Sequence, residues 1–150
     1  MRISRKAEYA LRALSTMARK PPSATSHIEE LARQGGIPPK FLEQIFLTLR
    51  KAGLLTSRRG VGGGYQLKVP ASLMTLADIL SAIDGPIQPM GCTPAVPGGQ
   101  LKASCECGTP GGCGAGRVFT DLQSQMHAFL SRITLADVIA REGAVMQFDI

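Results

Sequence analysis

Apolar side chains recur at Ala7, Ala10, Leu11, Leu14, Met17 and Ala18, a period near 3.6 that predicts a helix over residues 4–19. Ser4 suits its N-cap, and Pro21 and Pro22 end it. A second, short helix is predicted in "SHIEELARQGG". There Ser26 and Glu29 stand at capping-box spacing, and Ile28, Leu31 and Ala32 form the apolar face. The third helix, "IPPKFLEQIFLTLRKAG", has the strongest stripe: Phe41, Leu42, Ile45, Phe46 and Leu49. Pro38 and Pro39 suit its first turn, where no N–H is needed, and Gly53 suits its end. Two short strand candidates, 54–57 and 65–69, flank a glycine-rich tip and predict a β-hairpin. Thr75 and Asp78 then open a fourth helix, "TLADILSAID", which stops at Gly85-Pro86. Further on, Phe119, Leu122, Met126, Phe129 and Ile133 are spaced 3, 4, 3 and 4 apart, a heptad-like seam predicting a helix over 117–133. Thr134 and Asp137 cap a last short helix, "LADVIAR". No internal repeat is evident.

Two short helices, a third with a polar face, and a β-hairpin make the order of a winged helix-turn-helix. The expected fold is mainly α with a small β-hairpin wing, followed by a long dimerisation helix. The chain divides accordingly. Residues 1–84 are the DNA-binding domain, 85–116 a Gly/Pro/Cys-rich connector, and 117–150 the dimerisation helix with a C-terminal helix and tail. Glycine and proline supply 14 of the 32 connector residues, so this loop is too long to be a mere turn and reads as functional or disordered.

Charge sharpens the picture. Residues 1–70 hold 13 Lys and Arg against 4 Asp and Glu, while 71–150 hold 4 against 7. The first half therefore complements a polyanion and the second does not. On the polar face of the third helix, Glu43 offers an acceptor to cytosine and Gln44 a bidentate group to adenine, with Lys40 beside them. Arg50 and Lys51 suit phosphates. Arg58 and Arg59 sit on the hairpin tip with Gly60, where glycines allow close approach to a backbone or narrow groove. The rival reading of "GVGGGY" as a dinucleotide fingerprint fails, because Tyr65 takes the last glycine position and no parallel-sheet unit follows. One reading helix gives little specificity. A homodimer on a palindromic double-stranded operator presents two, about one DNA turn apart. No apolar run approaches the ~18 residues of a membrane span, and the N-terminus lacks a secretory pattern, so a cytoplasmic protein with no membrane partner is expected.

Four cysteines remain, at 92, 105, 107 and 113. Their surroundings are too polar and glycine-rich for a core. A reducing compartment disfavours permanent disulfides. Soft thiolates suit zinc or an iron–sulfur cluster. Structural zinc sites favour paired short spacings, which Cys105, Cys107 and Cys113 do not show. Spacing alone leaves both metals open, as well as a metal-free thiol–disulfide switch. No nucleophile–base or acid–base constellation suggests an enzyme.

The stretches "EYALRAL", "FLEQIFLTLRKAGLLTSRRGVGGGYQL", "TLADILSAIDGP" and "ITLADVI" together resemble the Rrf-two family of bacterial regulators, over residues 1 to about 141. The resemblance implies a dimeric winged-helix transcription factor with a cluster, two-iron or four-iron, held by three cysteines before the dimerisation helix. Cys107 and Cys113 match the last two ligands and Cys92 the first. Cys105 is extra, and the gap from Cys92 to Cys107 is longer than usual in the family. Glu43 and Arg59 match positions that contact DNA. Glu8 matches a carboxylate that reaches the partner chain's cluster in some members; Cys105 is the other candidate for the fourth ligand. A histidine found after the last cysteine in some members is replaced by Gly116. The function expected is a DNA-binding regulator switched by a cluster sensing redox state, nitric oxide or iron. The alternatives are a metal-free thiol–disulfide regulator and a zinc-stapled interaction module.

Overall fold

A computed structural model describes residues 2–100 and 113–142. Helix α1 (Arg5–Ala18) is central to it. The Ser4 hydroxyl accepts the Ala7 N–H at 3.1 Å and caps its start. Its inner face, Ala7, Ala10, Ala13, Leu14 and Met17, is buried. Three alanines on that face keep it thin, and α2, α3, α4 and α6 all pack against it.

Helices α2 (Ile28–Gly35) and α3 (Pro39–Lys51) form the helix-turn-helix. Gly36 turns the chain between them at φ 61°, a left-handed conformation that favours glycine. Helix α3 buries Leu42, Ile45, Phe46 and Leu49, the stripe read from the sequence. Strands β1 (Leu55–Arg58) and β2 (Gly64–Leu67) pair antiparallel, with Leu55 opposite Leu67 and Arg58 opposite Gly64. The Phe46 and Tyr65 rings meet edge to face at 4.9 Å, which fastens this hairpin to α3. The fold is thus mainly helical with a small wing, as expected.

Ser26 departs from expectation. His27 holds the N-cap position of α2 without a side-chain bond. Ser26 instead exchanges backbone bonds with Tyr65, at 2.8 and 2.9 Å, and adds a one-residue third strand to the wing. Long-range pairing overrides the local capping box here.

Helix α4 (Leu76–Asp84) opens on a full capping box between Thr75 and Asp78. Its last residue holds α1: the Asp84 carboxylate accepts from the Ser4 N–H at 3.1 Å and from the Ser4 hydroxyl. Helix α5 (Gly114–Leu130) starts at Gly114 rather than Arg117 and ends before Ile133. The Ile133 carbonyl instead joins a backbone pairing, between Thr75 and Thr134, that precedes α6 (Leu135–Glu142). The Leu76 N–H donates to the Ile133 carbonyl at 2.9 Å, and the Leu135 N–H to the Met74 carbonyl at 2.8 Å. Both helix starts read Thr-Leu-Ala-Asp, and Thr134 and Asp137 repeat the capping bonds at 2.7 to 3.2 Å. A short internal repeat, not recognised in the sequence, therefore pairs with itself. Met74 and Leu135 are buried beneath the pairing. Leu135 and Ile139 of α6 pack on the same core, and Arg19, the C-cap of α1, forms an exposed ion pair with Glu142.

Candidate nucleic-acid interface and thiol site

The buried stripe of α3 leaves Lys40, Glu43, Gln44 and Lys51 exposed at helical spacing. Leu47 lies among them and is 41% exposed. The apolar stripe does not include it, and that is the signal that places it on the outer face. Arg50 is also exposed, but its guanidinium donates to the Ser57 hydroxyl at 3.2 Å and braces α3 against β1. Arg58, Arg59 and Gly60 lie exposed on the wing. The tip needs glycine for two reasons, left-handed backbone at two positions and crowding at a third. Gly60 and Gly62 hold φ of 96° and 75°, and a Cβ on Gly63 would sit 2.5 Å from the Arg58 carbonyl oxygen. Val61 stands fully exposed at the turn, a second apolar side chain on this surface not expected from sequence.

Behind this surface, α1 meets α3 through rings. Tyr9 and Phe41 pack edge to face at 5.7 Å, and the Lys6 ammonium lies 6.0 Å from the Phe41 ring centre. Arg12 sits over Tyr9 and donates to the Gly35 carbonyl at 2.7 Å, so it turns toward α2. Glu8 is exposed in the first turn of α1 and has no ion-pair partner among the described residues. Farther off, Lys20 bonds Glu30 at 3.1 Å and holds that partly exposed carboxyl below its ordinary value.

Two of the four predicted sulfur ligands fall within the described residues. Cys92 and Cys113 are both half-buried and free. Cys105 and Cys107 lie outside the described residues. Cys113 is the N-cap of α5, and its side chain makes no capping bond. The first-turn N–H groups of a helix have no acceptors within it, so this end presents donors that anionic sulfur accepts. Cys92 lies in a closed stretch of the connector. Thr93 beside it is fully buried and donates its hydroxyl to the Met90 carbonyl at 2.6 Å. Among the described residues no three His, Cys, Asp or Glu side chains converge on one point. Soft thiols, half-buried and unbonded, fit a thiolate-held group as far as the described part of the site reaches.

The predicted seam of α5 finds little cover among the described residues. The residues this helix buries are Gly116 and Gln123. Phe119, Leu122 and Met126 are half-buried, and Phe129 is 60% exposed. An apolar cleft of about 500 Å³ runs beside it, lined by Ile3, Leu80, Ile87, Met126, Phe129 and Leu130. No described helix is long and apolar enough to cross a membrane.

Known proteins supply an independent comparison. The family model "Rrf2: Iron-dependent Transcriptional regulator" matches residues 3–141. The rrf2-like HTH-type transcriptional regulator of Rhodobacter capsulatus is 34% identical over 142 residues, covering 92% of each chain. The HTH-type transcriptional regulator IscR of Vibrio vulnificus is 31% identical, over 93% of this chain and 78% of its own. Among solved structures, CymR, the global cysteine regulator of B. subtilis, superposes with a TM-score of 0.72 at 26% identity, over 94% of this chain and 98% of its own. With an exposed helix face, a basic wing and matches spanning nearly its whole length, this chain belongs to the Rrf2 family of DNA-binding transcriptional regulators, which are not enzymes.

Proposed function

We propose that this regulator is a homodimer whose grip on a palindromic operator is set by an iron–sulfur cluster in the connector. Cys92, Cys107 and Cys113 would hold the cluster, with Glu8 of the partner subunit or Cys105 as the fourth ligand. When bound, such a group supplies a redox- and nitric-oxide-sensitive centre. The observation that carries the reading is the state of the described thiols: both are free, half-buried and attached to α5 or to the stretch packed on it.

On DNA, Glu43 and Gln44 would meet base edges, with Leu47 placed for a thymine methyl. Lys40, Arg50 and Lys51 would take phosphates. Arg58, Arg59 and Gly60 would bring the wing against the backbone or the minor groove. The open seam of α5 supports dimerisation, since a half-covered apolar helix face is stabilised by a second copy.

The fold offers a route from connector to reading face. Cys113 is the N-cap of helix α5, and the segment that follows the helix is paired with the start of α4. Helix α4 holds the start of α1 through Asp84, and α1 packs directly on α3. A shift at the head of α5 would therefore bias the spacing of two reading helices, a population change of the kind that links a local site to affinity.

Anaerobic purification tests the reading. The expected protein is coloured, contains iron and acid-labile sulfide, and loses both on Cys113→Ser. Glu8→Ala should alter the visible spectrum and Cys105→Ser should not; the reverse assigns the fourth ligand to Cys105. Colourless protein with stoichiometric zinc would establish a zinc staple instead. Metal-free protein that reversibly loses two hydrogens under oxidant would establish a thiol–disulfide switch.

A further inference from the structure

Gln123 lies in the middle of α5, a helix whose other polar side chains reach solvent at least in part, yet it is only 1% exposed. Its amide nitrogen donates to the Ile87 carbonyl at 2.6 Å and to the Pro94 carbonyl at 2.7 Å. A carboxamide nitrogen carries two hydrogens, and both are used here on acceptors that only a donor can meet, so the side-chain orientation is fixed. Its Oε1 is buried and has no partner among the described residues.

The two carbonyls bracket the stretch that contains Cys92. That stretch is also closed on itself. The Thr93 N–H and hydroxyl both reach the Met90 carbonyl, at 3.0 and 2.6 Å, and the Gln88 amide donates to the Thr93 carbonyl at 3.2 Å. The stretch therefore has internal shape, and Gln123 joins both its ends to one point on α5. Gly116, two helical turns before Gln123 and hence on the same face, is likewise buried, and it lies within one turn of Cys113.

We propose that Gln123 is a positioning residue for Cys92: its carboxamide latches the 87–94 stretch to α5 and so sets Cys92 relative to Cys113 on the same helix. The inference rests on the reading of the connector as a ligand site and extends it, from which thiols bind to what holds them in place beforehand. An apolar side chain of equal length would fill the space but leave both carbonyls without donors and the stretch free to part from the helix.

The test uses full-length, reduced, metal-free protein and two variants, Gln123→Met, which keeps length, and Gln123→Glu, which keeps shape. Alkylation of each thiol by iodoacetamide is followed by peptide mass spectrometry. The expected result is Cys92 modified several-fold faster in both variants, Cys113 unchanged, and the helical circular dichroism preserved. Equal Cys92 rates in folded variants would overturn the proposal. Wild-type protein gives a check that needs no variant: the Gln123 side-chain amide protons should exchange slowly with solvent by NMR, and rapid exchange would also overturn it. Anaerobic reconstitution separates the two ideas. A latch that governs Cys92 in a protein that never takes up iron and sulfide leaves the inference standing and removes the cluster. A cluster that forms with identical spectrum and lability in wild type and variants, with Cys92 rates unmoved, does the opposite.

Discussion

Arg59 and Glu43 illustrate how differently two exposed side chains would act on DNA. A wing arginine against phosphates contributes charge and no sequence information. Arg59→Ala should therefore weaken operator and random duplex about equally and lower the salt slope of binding by about 1, read by fluorescence anisotropy across a KCl series. Glu43 faces outward from α3 beside Gln44, where an acceptor selects a base rather than a backbone. Glu43→Gln should change which half-site is preferred and leave the salt slope alone. Gly63 is a different kind of residue, since its contribution is the side chain it lacks. A Cβ there would press on two backbone carbonyls, of Arg58 and Gly60, at 2.5 and 2.8 Å. Gly63→Ala should distort the wing and cost DNA affinity, while chemical denaturation of the α1–α3 core stays close to wild type. Leu47 is excluded from the buried stripe by its helical spacing, whereas Val61 joins this surface only once the fold is known, because no periodic pattern marks a valine in a turn as exposed.

Elements built from local signals were legible, and elements decided by distant partners were not. Helices α1, α3 and α4 carry their own stripes and stops, and the wing carries its own glycines. Helix α2 looked self-capped by Ser26 until the β2 strand claimed that backbone. Helix α5 was displaced because Ile133 and Leu135 are paired with Leu76 and Met74, which lie far away in the chain. The two Thr-Leu-Ala-Asp starts looked like independent caps, and only their contact reveals a repeat. Gln123 has no local signal, since nothing in the neighbouring sequence marks a polar residue as buried. The paired caps carry their own predictions. Thr75→Ala should cost about 1 kcal/mol, read as a shift in denaturant midpoint. Asp137 accepts from the Thr134 backbone and hydroxyl, which hold its carboxyl below the ordinary value of 3.8. These bonds favour the ionised form, so their stabilisation is fully present above pH 3.8 and is lost as pH falls through the lower folded value. The melting temperatures of wild type and Asp137→Asn should therefore differ near neutrality and converge in strong acid.

Viewed whole, the described part of the chain is a winged-helix unit extended by one long helix whose apolar seam the described residues cover poorly. The seam was legible as a heptad-like pattern; its lack of cover was not, because sequence does not say whether a stripe finds its partner within the chain. Phe129, at 60% exposure, is the test residue. Phe129→Glu should shift the protein from dimer to monomer in sedimentation and weaken binding to a palindrome far more than to a single half-site. The connector completes the molecule. Helix α5 runs from one thiol, under the latched stretch that carries another, to the paired caps above the core. Operator affinity of the same anaerobic preparation, measured before and after the cluster is stripped, tests the coupling most directly. The proposed coupling predicts at least a tenfold change, about 1.4 kcal/mol, at constant salt, absent from Cys113→Ser. Equal affinity of loaded and stripped protein for the same palindrome would contradict it.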